Sequence, residues 1–115
     1  MKKIIYVDVD GTICQNRDDL RDQDISIAYS DVKPYPDRIA HINSLYDDGH
    51  EIVYWTARGC KSGDDYTELT KQQFKEWGVK YHDLQVGNKP HFDLSICDKS
   101  WNSESFFHRF DRGLP

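Results

Sequence analysis

A chain of 115 residues with 37% hydrophobic residues and a formal net charge of -5 has material for one core and a strongly hydrated surface. The acidic balance, without any long Lys/Arg block, argues against a protein built to grip a nucleic-acid backbone. Cys14, Cys60 and Cys97 form no C-x-x-C pair, which argues against a zinc site, and Asp8 breaks the N-terminal apolar run. Neither a signal peptide nor a membrane anchor is expected, and the reading is of a cytoplasmic protein.

In chain order, Lys3 to Val9 reads as a buried strand, with Ile4, Ile5, Tyr6, Val7 and Val9 β-branched or aromatic. Gly11 ends it. Residues 14–32 are polar and weakly patterned and read as an irregular flap or short hairpin, with "ISIAY" its strand-like piece. Pro34 and Pro36 announce a helix from about Asp37 to Asp48, with Ile39, Ile42, Leu45 and Tyr46 on one face and Gly49 as its stop. A second strand runs from Glu51 to Trp55 and ends at Thr56. Gly59 and Gly63 frame a loop, and a second helix follows with Tyr66, Leu69, Phe74 and Trp77 inward and Gly78 as its stop. "YHDLQVG" and "FDLSICD" read as third and fourth strands. "WNSESFFHRF" is a short terminal helix or turn, and residues 110–115 are a loose tail. The whole is one domain, 1–115.

Strands alternating with helices predict an α/β protein with a parallel sheet. Ligands of such sheets bind at the carboxyl ends of the strands. That rule collects Asp8 and Asp10 after strand one, Thr56 and Arg58 after strand two, Lys89 before strand four and Asp98 at its end. Two acids at i and i+2 repel, and a divalent cation or a lysine relieves the repulsion. Oxygen donors suit Mg²⁺, which takes few protein ligands and keeps water or phosphate oxygens. Gly11 lets backbone N–H groups approach an anion, and the hydroxyls of Thr12 and Thr56 can donate to phosphate oxygens.

These motifs, "DVDGT" (Asp8 to Thr12), "YWTARG" (around Thr56), "KP" (Lys89) and "ICDKS" (Asp98), resemble the four ordered motifs of the haloacid dehalogenase-like (HAD) superfamily. The resemblance spans positions 8 to 98. It implies a Rossmann-like three-layer sandwich around a central parallel sheet. It also implies a phosphomonoesterase in which Asp8 is the nucleophile that forms an aspartyl-phosphate and Asp10 the acid and base. Thr56, with the backbone of Ala57, would contact the phosphoryl group, and Lys89 would offset charge. Mg²⁺ would be held by Asp8, the Asp10 carbonyl and Asp98. One departure is Cys97, which stands where relatives carry a further acid; Asp93 could substitute only in a shifted strand register.

Roughly 45 residues separate the first two motifs, enough for a helix, a strand and a flap, so no large cap domain is expected. Uncapped relatives close their sites with a neighbouring subunit or a large substrate, which makes a homo-oligomer an expectation. The stretch from Ser62 to Phe107 is similar to small phosphatases of capsule or lipopolysaccharide sugar synthesis, which implies a phosphorylated sugar as substrate. Arg58 either contacts substrate or pairs with Asp64 or Asp65. His91 is a loop residue or a substrate contact. Arg17 or Arg21 could reach the substrate from the flap, and Trp55, Trp77 and Trp101 read as core. Two other readings stay open: a non-catalytic phospho-acceptor or phosphate-binding module, and a nucleic-acid end phosphatase.

Overall fold

The computed structural model describes residues 2–90 and 93–111. Three strands, β1 (Ile4–Val7), β2 (Glu51–Thr56) and β3 (Asp83–Val86), form a parallel sheet in the order β1-β2-β3. Ile4 faces Glu51 and Val7 faces Tyr54, while Val53 faces Asp83 and Thr56 faces Val86. The helices are α1 (Arg17–Arg21), α2 (Pro36–Asp47), α3 (Thr67–Trp77) and α4 (Ser103–Asp111). This is the α/β, parallel-sheet architecture the alternation predicts. No described helix is long and apolar enough to cross a membrane.

The strand alternation decides where the core sits. Val7, Ile52 and Tyr54 point to one face and join Ile39 and Ile42 of α2, Phe74 of α3 and Phe107 of α4 in a single buried cluster. Ile4 and Tyr6 point to the other face and stay exposed. There Tyr6 meets Trp55 edge to face, with ring centres 5.8 Å apart.

Local chemistry sets the helix ends. Pro36 opens α2, where its missing N–H costs nothing. Gly78 takes φ +71° and closes α3, while Val79 N–H returns to the Phe74 carbonyl at 2.9 Å. Asn102 caps α4 by accepting from Glu104 N–H at 3.0 Å. Arg38 of α2 then ties α4 down, bonding Glu104 at 2.8 Å and lying 4.8 Å over the Phe107 ring.

Four expectations change. The flap holds the short helix α1 and a 3-10 turn at Tyr29–Asp31 rather than a hairpin, because Asn16 caps α1 by accepting from Asp18 N–H at 2.9 Å. No fourth strand forms among the described residues: only Leu94 and Ile96 carry apolar surface there, and both lie exposed. With Leu94 and Ile96 left in solvent, the described part of the segment buries nothing that would fix a strand register. Trp101 is half exposed rather than core, with its ring edge-on to Phe106. The tail shortens, because α4 extends to Asp111; residues 112–115 and His91 lie outside the described residues.

Candidate active site

Beyond Val7 the chain turns immediately. Thr12 and Ile13 N–H donate to the Val9 carbonyl at 3.1 and 3.0 Å, and Gly11 N–H donates to Cys14 at 2.9 Å. The turn buries Val9, Ile13 and Cys14 and leaves Asp8 and Asp10 on the rim of a cavity of about 490 Å³. Thr56, Ala57 and Arg58 bring the end of β2 to that cavity, and Lys89 brings the chain that follows β3. The far wall is the flap, through Arg17 and Arg21 of α1 and through Tyr29.

Asp8 is the open carboxylate, with its side chain 44% exposed. Its Oδ1 accepts from Val9 N–H at 2.9 Å and stands 3.2 Å from Lys89 Nζ. The protein walls around it push its pKa above the ordinary value of 3.8, and Lys89 and the Val9 N–H pull against that rise. Lys89 also sits 5.5 Å over the Trp55 ring.

Asp10 is held differently. Arg58, only 1% exposed, grips both its oxygens: Nε reaches Oδ2 at 3.0 Å and Nη2 reaches Oδ1 at 2.9 Å. Nη1 donates to Thr70 Oγ1 at 3.2 Å and to Gln73 Oε1. The guanidinium also lies 4.8 Å from the Tyr29 ring centre. Burial works against this charge, but the hydrogen bonds and charge of Asp10 reverse the effect and raise the Arg58 pKa. Arg58 thus pairs with neither Asp64 nor Asp65: it is the buried hub joining the first turn to α3. Burial pushes the neighbouring Cys14 thiol up to about 12, so it is an inert packing group.

The residue after Arg58 fixes this geometry. Gly59 has φ +84°, and a Cβ there would fall 2.0 Å from the Asp64 carbonyl oxygen. Glycine alone permits that crossing of backbone on backbone. Thr56 is buried; its Oγ1 accepts from Arg58 N–H at 3.2 Å, which leaves the hydroxyl hydrogen free to donate.

The structure therefore gathers Asp8, Asp10, Thr56, Ala57, Arg58 and Lys89 around one cavity. It does not bring Gly11 or Thr12 to the lining, because the turn consumes their N–H groups. Nor does it bring Asp98, which lies exposed in the segment that forms no strand. No group of three His, Cys, Asp or Glu side chains converges to hold a metal among the described residues. Sequence reasoning missed Thr70 and Gln73. Their signal was present: both share the inward face of α3 with Phe74, where apolar residues would otherwise be expected. It also missed Tyr29, whose ring lies against Arg17 at 3.9 Å as well as Arg58 and whose carbonyl accepts from Gln73 Nε2 at 2.7 Å.

The chain matches no family model and no curated protein. It is similar to a solved structure, the crystal structure of a target protein from Vibrio cholerae, at 24% identity and a TM-score of 0.68. The match covers 98% of this chain and 99% of that one. At this identity the likeness speaks for a shared fold.

Proposed function

We propose that the chain is a Mg²⁺-dependent phosphomonoester hydrolase with a HAD-like core, acting through an aspartyl-phosphate on a small phosphorylated metabolite such as a sugar phosphate. The observation that carries this reading is the contrast at the cavity rim: an open Asp8 beside Lys89 at 3.2 Å, with Asp10 two residues on in a fixed orientation. Asp8 Oδ attacks phosphorus, and the bond from phosphorus to the leaving oxygen breaks. Asp10 gives that oxygen its proton, then takes one from the water that releases phosphate from Asp8. Thr56 donates to the phosphoryl oxygens and Lys89 offsets their charge.

The donor set fits a metal held mainly by substrate. At the strand ends Asp8 is the carboxylate left open, since Arg58 occupies Asp10 and Asp98 lies outside the cavity lining. Mg²⁺ commonly binds through one or two carboxylates plus phosphate oxygens. Asp8 and the Asp10 carbonyl would hold it, and it would supply charge stabilisation of the transferring group.

The test is hydrolysis of an aryl phosphate with and without Mg²⁺. The expected result is Mg²⁺-dependent turnover that Asp8→Asn lowers by about 10³-fold or more. Turnover by Asp8→Asn equal to the parent's overturns the reading. The bidentate hold on Asp10 favours a second reading, a phospho-acceptor that turns over slowly, because a gripped carboxylate is a poor proton shuttle. A stoichiometric phosphoryl burst followed by slow release would select it.

A further inference from the structure

The cavity extends well beyond what a phosphoryl group needs, and its charges divide into two sets. At the sheet end every cation has an acid: Lys89 lies 3.2 Å from Asp8, and Arg58 lies 2.9 Å from Asp10. Arg17 and Arg21 of the flap and Lys61 of the loop after β2 also line the cavity, with Asp18 and Asp64 as the further acids. Arg17 reaches Asp18 at 3.2 Å, but that acid is 75% exposed and a weak partner in water. Among the described residues, Arg21 and Lys61 form no ion pair. Arg21 Nε is shielded from solvent and has no protein acceptor. That nitrogen meets no solvent-accessible space, so what the cavity offers an anion is the charge of Arg21 and Lys61 in its wall, which no acid offsets.

We infer that the flap end is a second anion subsite, and that the substrate carries another acidic group besides the phosphate it loses. The chemical class is a small phosphorylated metabolite bearing a carboxylate or a second phosphate. This rests on the hydrolase reading for the first group only; the second group is bound by Arg21 and Lys61 whatever happens at Asp8. Arg17, 3.9 Å from the Tyr29 ring centre, lines the same cavity. The cavity volume lies in the range that encloses small ligands.

The experiment is calorimetric titration of the full Asp8→Asn chain, so that nothing is consumed, with glucose 6-phosphate, 6-phosphogluconate and fructose 1,6-bisphosphate. One or both of the doubly acidic probes should bind about tenfold or more tightly than glucose 6-phosphate, with the better one assigning carboxylate or phosphate. Adding Arg21→Gln or Lys61→Gln should erase most of that margin. Lys61 is exposed on its loop, so its substitution tests binding without disturbing the fold. Equal affinity for all three probes, no binding of any, or a margin that survives both substitutions overturns the subsite. The two claims separate cleanly. Aryl phosphate turnover without a margin keeps the hydrolase and sinks the subsite, whereas a margin without turnover keeps the subsite and sinks the hydrolase.

Discussion

Asp8 and Asp10 are two residues apart on one turn, yet they live in opposite surroundings. Asp8 faces the cavity with its side chain 44% exposed and pairs with Lys89 through a single oxygen at 3.2 Å. Asp10 is 17% exposed and is gripped through both oxygens by an arginine with no exposed side-chain surface. The difference teaches that the site has an open, reactive half and an anchored, structural half, and that Asp10 would do its proton transfer from the anchored one. A charge left partly wet stays available to a ligand. A charge buried in a bidentate pair instead fixes geometry, because breaking the pair strands a charge out of water.

The largest test of that contrast is Arg58→Ala. It strands Asp10 and removes the partner of Thr70 and Gln73, and should cost about 3–5 kcal/mol in urea unfolding. A cost below about 1 kcal/mol would mean the structural half is not structural. Next comes Gly59→Ala, which adds a Cβ 2.0 Å from the Asp64 carbonyl oxygen at φ +84°. Its expected cost is about 2–3 kcal/mol, measured as a fall in melting temperature, since both backbone strain and a clash must be relieved. The smallest effect belongs to Asp8→Asn. Because folding raises the Asp8 pKa above 3.8, the ionised group opposes folding above its folded pKa, and that opposition vanishes below 3.8. Asp8→Asn should therefore raise the melting temperature slightly at pH 7, by less than about 1 kcal/mol of stability given its exposure. The gain should shrink as the pH falls toward 3.8; a gain that grows on acidification would reverse the assignment of the reactive half.

Much of this was legible in the sequence, for reasons that can be named. The strands β1 and β2 carry runs such as "IIYV" and "EIVYWT", whose β-branched and aromatic content leaves little alternative. Pro36, Gly49 and Gly78 punctuate the helices by their own backbone limits. The strand-end rule collects Asp8, Asp10, Thr56, Arg58, Lys89 and Asp98, and all of these but Asp98 line the cavity. Three things were not legible. Arg58 could reach several acids, and only the depth of its burial selects Asp10 over Asp64 or Asp65. The flap lacks periodicity, so the short helix behind the local cap at Asn16 was missed, and the packing of Tyr29 against two guanidiniums came from tertiary contact. The "FDLSICD" segment has strand-like alternation, but alternation without a surface to bury it against does not make a strand among the described residues.

Cys14 gives the protein a built-in reporter. Its thiol has no solvent exposure, hydrogen-bonds toward Asp10 at 3.6 Å and is pushed up to about 12, whereas Cys60 is partly accessible and Cys97 is open to solvent. A thiol-directed alkylating dye at pH 8 should label two sulfurs in the native molecule and the third only when the first turn comes apart. The lag before that last adduct then times the opening of the Asp10 anchorage in an untouched chain, with no engineered label and no dependence on which metabolite the protein meets.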